Sequence, residues 1–338
     1  MSESTTPPLA PWLGVQRDRL LAQRGHAWLL QGASGLGQYE LALSLVRAWL
    51  CDAPQPHGAC GQCSSCHAID VRTHADLCVL MPETVMLESG WPLTEKAQQE
   101  IDDKKRKASR EIRVDALRDA VEFSQRTSAR GRGKAVLVYP AERMNTISAN
   151  TLLKTLEEPP GDVKFVLASE AAHLLLPTIR SRCLGHSMAW PTADQALDWL
   201  VGQGVEAGDA PVLLRAAGGR PNDALRDWTA GRRAKAWALL PKAVARGDAS
   251  ALAGHSPAEA VGALHKLCHD LTVMQSGGEP RFFASADLPA THSRRALASW
   301  SKALTAASRT AEHPFNAVLM LESLVSEARI ALNSRSNP

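Results

Sequence analysis

Four short apolar runs mark the first half of the chain: Ala27-Trp28-Leu29-Leu30-Gln31, Leu77-Cys78-Val79-Leu80, Ala135-Val136-Leu137-Val138-Tyr139 and Lys164-Phe165-Val166-Leu167-Ala168. Runs of this length between turn signals predict buried strands. Between them, apolar residues recur at helical spacing. Residues 11–25 put Leu13, Leu20 and Leu21 on one side, and Glu40–Leu50 repeat the pattern. Ile112–Val121 begin another helix, with Asp115 at the N-terminal end, where an anion is favoured. Ala149–Glu158 form the next, capped by Ser148 and stopped by Pro159-Pro160-Gly161. Leu174–Ile179 make a short turn or helix that delivers Arg180-Ser181-Arg182-Cys183. Strands alternating with helices predict a mostly parallel sheet covered on both faces.

Past Trp190-Pro191 no strand pattern appears. Residues 192–231 carry short helical patterns, broken at Gly202–Gly208 and Gly218-Gly219. From about residue 232 the chain is helical. Apolar faces run through Leu239-Leu240, then Leu264, Leu267 and Leu271, then Val318-Leu319, Leu321 and Leu324-Val325. The expected fold class is α/β plus all-α.

A length of 338 residues suits two or three domains with a sizeable core. Hydrophobic residues at 45% and charged residues at 22% describe an ordinary soluble globular protein, with no run of membrane-spanning length. A net charge of +3 is too small to mark a nucleic-acid binder by itself. Residues 1–8, Met-Ser-Glu-Ser-Thr-Thr-Pro-Pro, lack the basic and then apolar regions of a secretory signal, so a cytoplasmic location is expected. Residues 1–10 and Asn333–Pro338 read as loose ends.

In a reducing compartment, seven cysteines with four crowded together point to metal rather than disulfides. Cys51, Cys60, Cys63 and Cys66 have the spacing C-x8-C-x2-C-x2-C. Tetrahedral zinc needs four soft ligands converging on one point, and C-x2-C hooks hold thiolates close enough. Gly58 and Gly61 permit the tight turns. His57 and His67 are spare candidates, but four cysteines fill the shell and predict a closed structural zinc site. Cys78, Cys183 and Cys268 are isolated and read as core or surface thiols.

Between the first strand and its helix lies Gly32-Ala33-Ser34-Gly35-Leu36-Gly37-Gln38-Tyr39, which has the skeleton of a phosphate-binding loop. A working loop ends Gly-Lys-Ser/Thr: lysine reaches the phosphates and the hydroxyl holds magnesium. Gln38 carries no charge, and the Tyr39 ring puts its hydroxyl too far out. The strand at Ala135–Tyr139 is followed by Pro140-Ala141, where a hydrolase of this kind carries Asp-Glu; Glu142 is two residues out of register. Two separate losses argue against ATP hydrolysis. No nucleotide cofactor is expected at Gly32, Gly35, Gly37, Gln38 and Tyr39.

Two basic stretches complete the inventory. Residues 82–111 read as a polar insertion carrying Trp91-Pro92; its charge run Asp102–Lys107 reads as a solvated loop rather than a nucleic-acid patch. Residues 126–134 form a basic, glycine-rich turn, read as an exposed connector that could touch a phosphate backbone.

Several motifs occur together in a specific order: Gly25-His26-Ala27-Trp28-Leu29-Leu30, the four-cysteine group, Thr73-His74-Ala75-Asp76, the run Asn150–Pro160 and Pro177-Thr178-Ile179-Arg180-Ser181-Arg182-Cys183. On these the chain resembles, over nearly its whole length, the clamp-loader subunits of bacterial DNA polymerase III, members of the AAA+ proteins. Within that group the resemblance is to the delta-prime family. The hydrolysing tau/gamma relatives would carry Lys-Thr or Lys-Ser at 38–39, Asp-Glu at 140–141 and a sensor arginine near 222. Here those places hold Gln-Tyr, Pro-Ala and Asn222. The 82–111 insertion departs from both groups, and no function is assigned to it.

The resemblance implies three parts: an AAA+ module over 1–189, a helical lid over 190–231 and a helical collar over 232–338. It implies a ring with tau/gamma and delta subunits that places the sliding clamp on primed DNA, with the chain touching the clamp weakly or indirectly. It also implies that Arg182 reaches across a subunit boundary to the neighbour's ATP. On its residues alone, Arg182 would pair with a carboxylate of its own domain, and Arg180 is a less suited substitute. Two other classes stay open: an active ATPase using Glu142, and a zinc-dependent nucleic-acid-binding protein using the 104–107 and 126–134 stretches.

Overall fold

All four apolar runs become strands, and a fifth joins them at the edge. The computed structural model describes residues 9–290, 293–311, 313 and 316–334. The expected loose ends therefore lie mostly outside the described residues. The chain divides into two compact units, Met1–Pro191 and Thr192–Pro338.

The first unit runs α1 (Pro11–Leu21), β1 (Ala27–Gln31), α2 (Gln38–Leu50), α3 (Ser64–Asp70), β2 (Leu77–Leu80), α4 (Glu83–Glu88) and α5 (Glu95–Asp102). It continues with α6 (Val114–Gln125), β3 (Lys134–Val138), α7 (Thr146–Glu157), β4 (Val163–Ser169), α8 (Pro177–Arg180) and β5 (Leu184–Ser187). The sheet order is β2-β3-β4-β1-β5, and every neighbouring pair is parallel. In register, Leu29 sits beside Leu167 on one side and Gly185 on the other.

Side chains alternate across a strand, so each strand serves two layers. Leu29, Val136, Val138, Phe165 and Leu167 pack with Leu117 of α6 and with Leu152 and Leu156 of α7. Trp28, Leu30, Leu137 and Val166 are buried on the other face. There α2 crosses β1, β3 and β4, and Trp49 of α2 lies 4.9 Å from Trp28 between ring centroids. Burial on both faces explains the continuous apolar runs. Both β2 and β5 are edge strands: β2 keeps a half-buried apolar run, whereas β5 has none and leaves Leu184 44% exposed.

Two local expectations change. Ser148 is not the cap of α7: the Asn145 side chain accepts from the Ser148 N–H at 2.9 Å, and the Ser148 hydroxyl donates to the Ile112 carbonyl at 3.0 Å. Residues 82–111 contain two helices the sequence did not show, α4 and α5, while the charge run beyond Asp102 is an exposed turn apart from the half-buried Arg106. The Arg106 guanidinium donates to Glu83 at 2.8 Å and to Glu100 at 2.7 Å, and the Ser109 N–H donates to Glu83 at 2.7 Å. Burial pushes the Glu83 carboxyl up, but Arg106 and the Ser109 N–H more than offset it and hold it below the usual carboxylate value.

The second unit is helical among its described residues: α9 (Ala193–Gly202), α10 (Ala210–Ala216), α11 (Pro221–Thr229), α12 (Ala234–Arg246), α13 (Pro257–Gln275), α14 (Arg294–Thr310) and α15 (Ala317–Asn333). It holds two buried clusters. One joins Ala196 and Leu200 of α9 to Leu213 and Leu214 of α10 and Ala224 of α11. The other joins Leu264, Leu267 and Leu271 of α13 to Trp300 and Leu304 of α14 and Leu324 and Val325 of α15. The fully buried Asp270 carboxylate accepts from the N–H groups of Arg281, Phe282 and Phe283 at 3.0, 2.7 and 2.9 Å. Leu239, Val318 and Leu319, expected on apolar faces, point outward.

Candidate functional site

The glycine loop leaves the C-terminal end of β1 and enters α2, the strand–loop–helix context the sequence predicts. Neighbouring side chains pack closely against its backbone. A Cβ at Gly37, whose φ is +94°, would meet Leu13 Cδ1 at 2.6 Å, and a Cβ at Gly32 would meet Met188 Cβ at 2.8 Å. Trp12 Nε1 donates to the Leu36 carbonyl at 3.3 Å. Gln38 is 2% exposed, and its amide Nε2 donates to the Ala33 carbonyl at 2.6 Å, across the loop.

Tyr39 points toward the end of β3. Its ring lies 5.4 Å from that of Tyr139, between centroids. Its hydroxyl accepts from Trp91 Nε1 at 2.7 Å. Burial pushes the Tyr39 hydroxyl up from its ordinary value, with the Trp91 bond pulling the other way. Trp91 is 6% exposed, with the Arg72 guanidinium 5.5 Å from its ring centroid. An aromatic cluster of Tyr39, Trp91 and Tyr139 thus lies between the start of α2 and the residue that follows β3. Glu142, close by in sequence, accepts from the Glu170 N–H at 3.1 Å, and Glu170 accepts from the Tyr139 hydroxyl at 2.9 Å. Sequence reasoning missed Trp91; a lone Trp-Pro in a polar stretch was the available signal.

Arg182 follows α8. Its Nε and Nη2 donate to Glu157 Oε2 at 3.2 and 3.0 Å, and Nη1 donates to the Thr178 carbonyl at 3.0 Å. Glu157 is the last residue of α7. The carboxylate partner expected from residues alone is present, on a surface where the two side chains are 29% and 60% exposed.

The four predicted cysteines come together. Cys51 Sγ lies 3.5 Å from Cys60, 3.7 Å from Cys63 and 3.8 Å from Cys66, and all four sulfurs lie within 4.8 Å of one another. Zinc–sulfur bonds of about 2.3 Å in a tetrahedron separate the sulfurs by about 3.8 Å, so the group fits zinc. Cys51 ends α2, Cys63 caps α3 and Cys66 lies in its first turn. The Cys60 N–H donates to Cys51 Sγ at 3.3 Å and the Cys66 N–H to Cys63 Sγ at 3.4 Å, bonds that favour thiolate. The N–H groups of Gln62 and Cys63 pull the Cys60 thiol down to about 6, while burial pushes Cys51 and Cys66 up. Bound there, zinc would cross-link the end of α2 to α3. His57 is instead 2.8 Å from Asp18 and largely exposed, and neither it nor His67 joins the ligand group.

The basic stretches part company. Arg106 is held by Glu83 and Glu100, and Lys105 by Asp103 at 2.8 Å. The 126–134 turn instead meets the cysteine module: Arg130 Nη1 donates to Ser64 Oγ at 2.6 Å and Ser65 Oγ at 3.2 Å.

The chain is similar to proteins of a known family. A family model described as "DNA polymerase III, delta subunit" matches residues 16–189. Proteins named DNA polymerase III subunit delta' are similar to this chain in Pseudomonas aeruginosa, at 39% identity over 210 residues, and in Escherichia coli, at 35% over 221. The chain belongs to the delta-prime family of DNA polymerase III subunits. Those matches cover 61% and 64% of the chain, and 56% and 59% of the relatives' own lengths. The DNA polymerase III subunit tau of Salmonella typhimurium is 30% identical over 66% of this chain and 30% of its own length. Among solved structures, a gamma-subunit-related protein of Thermotoga maritima is similar at 16% identity and a TM-score of 0.49, covering 95% of this chain and 100% of its own. No helix among the described residues is long and apolar enough to cross a membrane.

Proposed function

We propose that this chain is a non-hydrolysing stator of a bacterial clamp loader. It assembles with tau/gamma and delta subunits, in the cytoplasm, into a ring that places the sliding clamp on primed DNA. Residues 1–189 serve as the AAA+ module, 190–231 as the lid and 232–338 as the collar. Arg182 serves a neighbouring subunit's ATP site: a planar guanidinium suits bidentate phosphate contact and stabilises charge on the transferring group. The Glu157 pairing is compatible with this role. It is an exposed ion pair of small net worth, which a nucleotide phosphate can outcompete.

One observation carries the non-hydrolysing part. The Tyr39–Trp91–Tyr139 cluster fills the place where a loop hydroxyl, a metal ion and a strand-end acid would meet. The Gln38 amide inside the loop supports it from the phosphate side. The test is equilibrium binding of magnesium-ATP to the isolated chain. No saturable binding at millimolar nucleotide is expected; tight binding with turnover, lost in Glu142→Ala, would restore the active-ATPase reading.

A further inference from the structure

The parallel sheet has two ends. The vestigial loop lies at the C-terminal end of β1. Helix α2 runs back from it, so Cys51 lies at the opposite edge, where β2 and β3 begin. Asp76 immediately precedes β2, and its carbonyl accepts from the Ala135 N–H of β3 at 2.9 Å. The 126–134 turn ends at the same edge, with Lys134 opening β3. The sequence motif Thr73–Asp76 and this turn have no part in the function proposed above.

The Asp76 carboxylate is fully buried. It accepts from the Ala129 N–H at 2.8 Å, the Arg130 N–H at 2.9 Å and the Ser128 hydroxyl at 3.0 Å, and lies 3.4 Å from Lys134 Nζ. His74 Nδ1 accepts from the Asp76 N–H at 3.1 Å, which fixes the approach to β2. The turn is seated from its other end by Gly133: a Cβ there would meet the Asp162 carbonyl oxygen at 2.6 Å. Thus held, Arg130 projects into the cysteine module. Its Nη1 bonds the Ser64 and Ser65 hydroxyls and lies 4.0 Å from Asp52. Asp52 in turn accepts from Ser65 Oγ at 2.7 Å, Ser65 N–H at 3.2 Å and Ser64 Oγ at 3.2 Å. Asp52 follows Cys51, and Ser64 and Ser65 open the helix that carries Cys66. The path from ligand to turn is therefore Cys51/Cys66, Asp52/Ser64/Ser65, Arg130, Asp76, with hydrogen bonds at every step after the first.

We propose that Asp76 and Arg130 are positioning residues that couple zinc binding at Cys51, Cys60, Cys63 and Cys66 to the order of the 126–134 turn. Without zinc, the Ser64–Ser65 helix start loses its cross-link to α2, and Arg130 loses the partners that hold it there. Coupling is reciprocal: what zinc does for the turn, the Arg130 contacts do for zinc. Partners behind metal ligands commonly change metal affinity by about 10–100-fold. The turn, with its exposed Arg132, is then held in one geometry only when the module is loaded.

Two measurements test this on the full chain. In the first, zinc affinity is read by competition with a chromophoric chelator for wild type, Arg130→Met and Asp76→Asn. Arg130→Met keeps the apolar stem and removes the donors. A roughly tenfold weaker zinc affinity is expected in Arg130→Met; affinity equal to wild type overturns the proposal. In the second, hydrogen exchange of the turn peptide is followed with and without zinc. The turn amides of Ala129 and Arg130 are expected to exchange about tenfold faster after zinc removal in wild type, while β1 and β4 stay protected. Unchanged turn exchange with a loosened 51–66 segment overturns the coupling, as does equal loss of protection across β1 and β4.

Discussion

Trp91 Nε1 donates to Tyr39 Oη at 2.7 Å, joining the 82–111 segment to the helix that follows the vestigial loop. The bond satisfies the indole N–H of a nearly buried tryptophan and places its ring beside the tyrosine pair. Trp91 therefore anchors the segment. Trp91→Ala removes the anchor and its buried area, and by analogy with core truncations costs the segment about 3 kcal/mol. Trp91→Phe keeps most of the area but removes the donor, costing about 1 kcal/mol. Hydrogen exchange over 83–109 should rise strongly in the first variant and modestly in the second, with β1 and β4 unaffected. Equal protection in all three proteins would show that the anchor lies elsewhere.

The cysteine module predicts one zinc per chain. Zinc binding free energy is folding free energy for the elements it joins. Cys66→Ser leaves three sulfurs around the ion, so zinc should be lost on gel filtration, as read by atomic emission. The thermal midpoint should fall by roughly 5 °C or more. A variant that retains stoichiometric zinc and the wild-type midpoint would remove the structural role.

A third prediction concerns acid. Burial pushes Glu259 up, but the Arg232 guanidinium at 2.5 Å and the Ser256 N–H at 2.8 Å more than offset this and hold its pKa at about 2. A depressed carboxylate contributes stability above its ordinary value, near 4.5, and loses it as pH falls toward 2. Because the side chain is 43% exposed, solvent screening cuts the contribution to about 1 kcal/mol. Glu259→Gln should be less stable than wild type by that amount at pH 7 under denaturant. The gap should narrow between pH 4.5 and 3; a gap that widens on acidification contradicts the assignment.

What could be read in advance follows from where the stabilising partners lie. The inner strands β1, β3 and β4 were legible because burial on both faces forces unbroken apolar runs, as at Val136–Val138, and the edge strand β2 was legible because Leu77–Leu80 is apolar throughout. The four ligands were legible because short spacing already brings Cys60, Cys63 and Cys66 together. β5, at the edge opposite β2, was hidden because Leu184-Gly185-His186-Ser187 carries no apolar run. α4 and α5 were hidden because their anchors, Glu83 with Arg106 and Trp91 with Tyr39, join residues far apart in sequence. The Asp76–Arg130 path was hidden for the same reason: 54 residues separate the carboxylate from the N–H it receives.

The central claim is that this chain completes a neighbour's ATP site while lacking a working one. Its most direct test is ATP turnover by a reconstituted loader with clamp and primed DNA, comparing wild type with Arg182→Ala, alongside the isolated chain. Gel filtration first establishes that both loaders assemble equally. An arginine supplied in trans is worth about 10³–10⁵ in rate at the site it serves. The account predicts a silent isolated chain and an Arg182→Ala loader in which the adjacent site is effectively dead, lowering total turnover. Equal turnover by an assembled Arg182→Ala loader, or hydrolysis by the isolated chain, contradicts it.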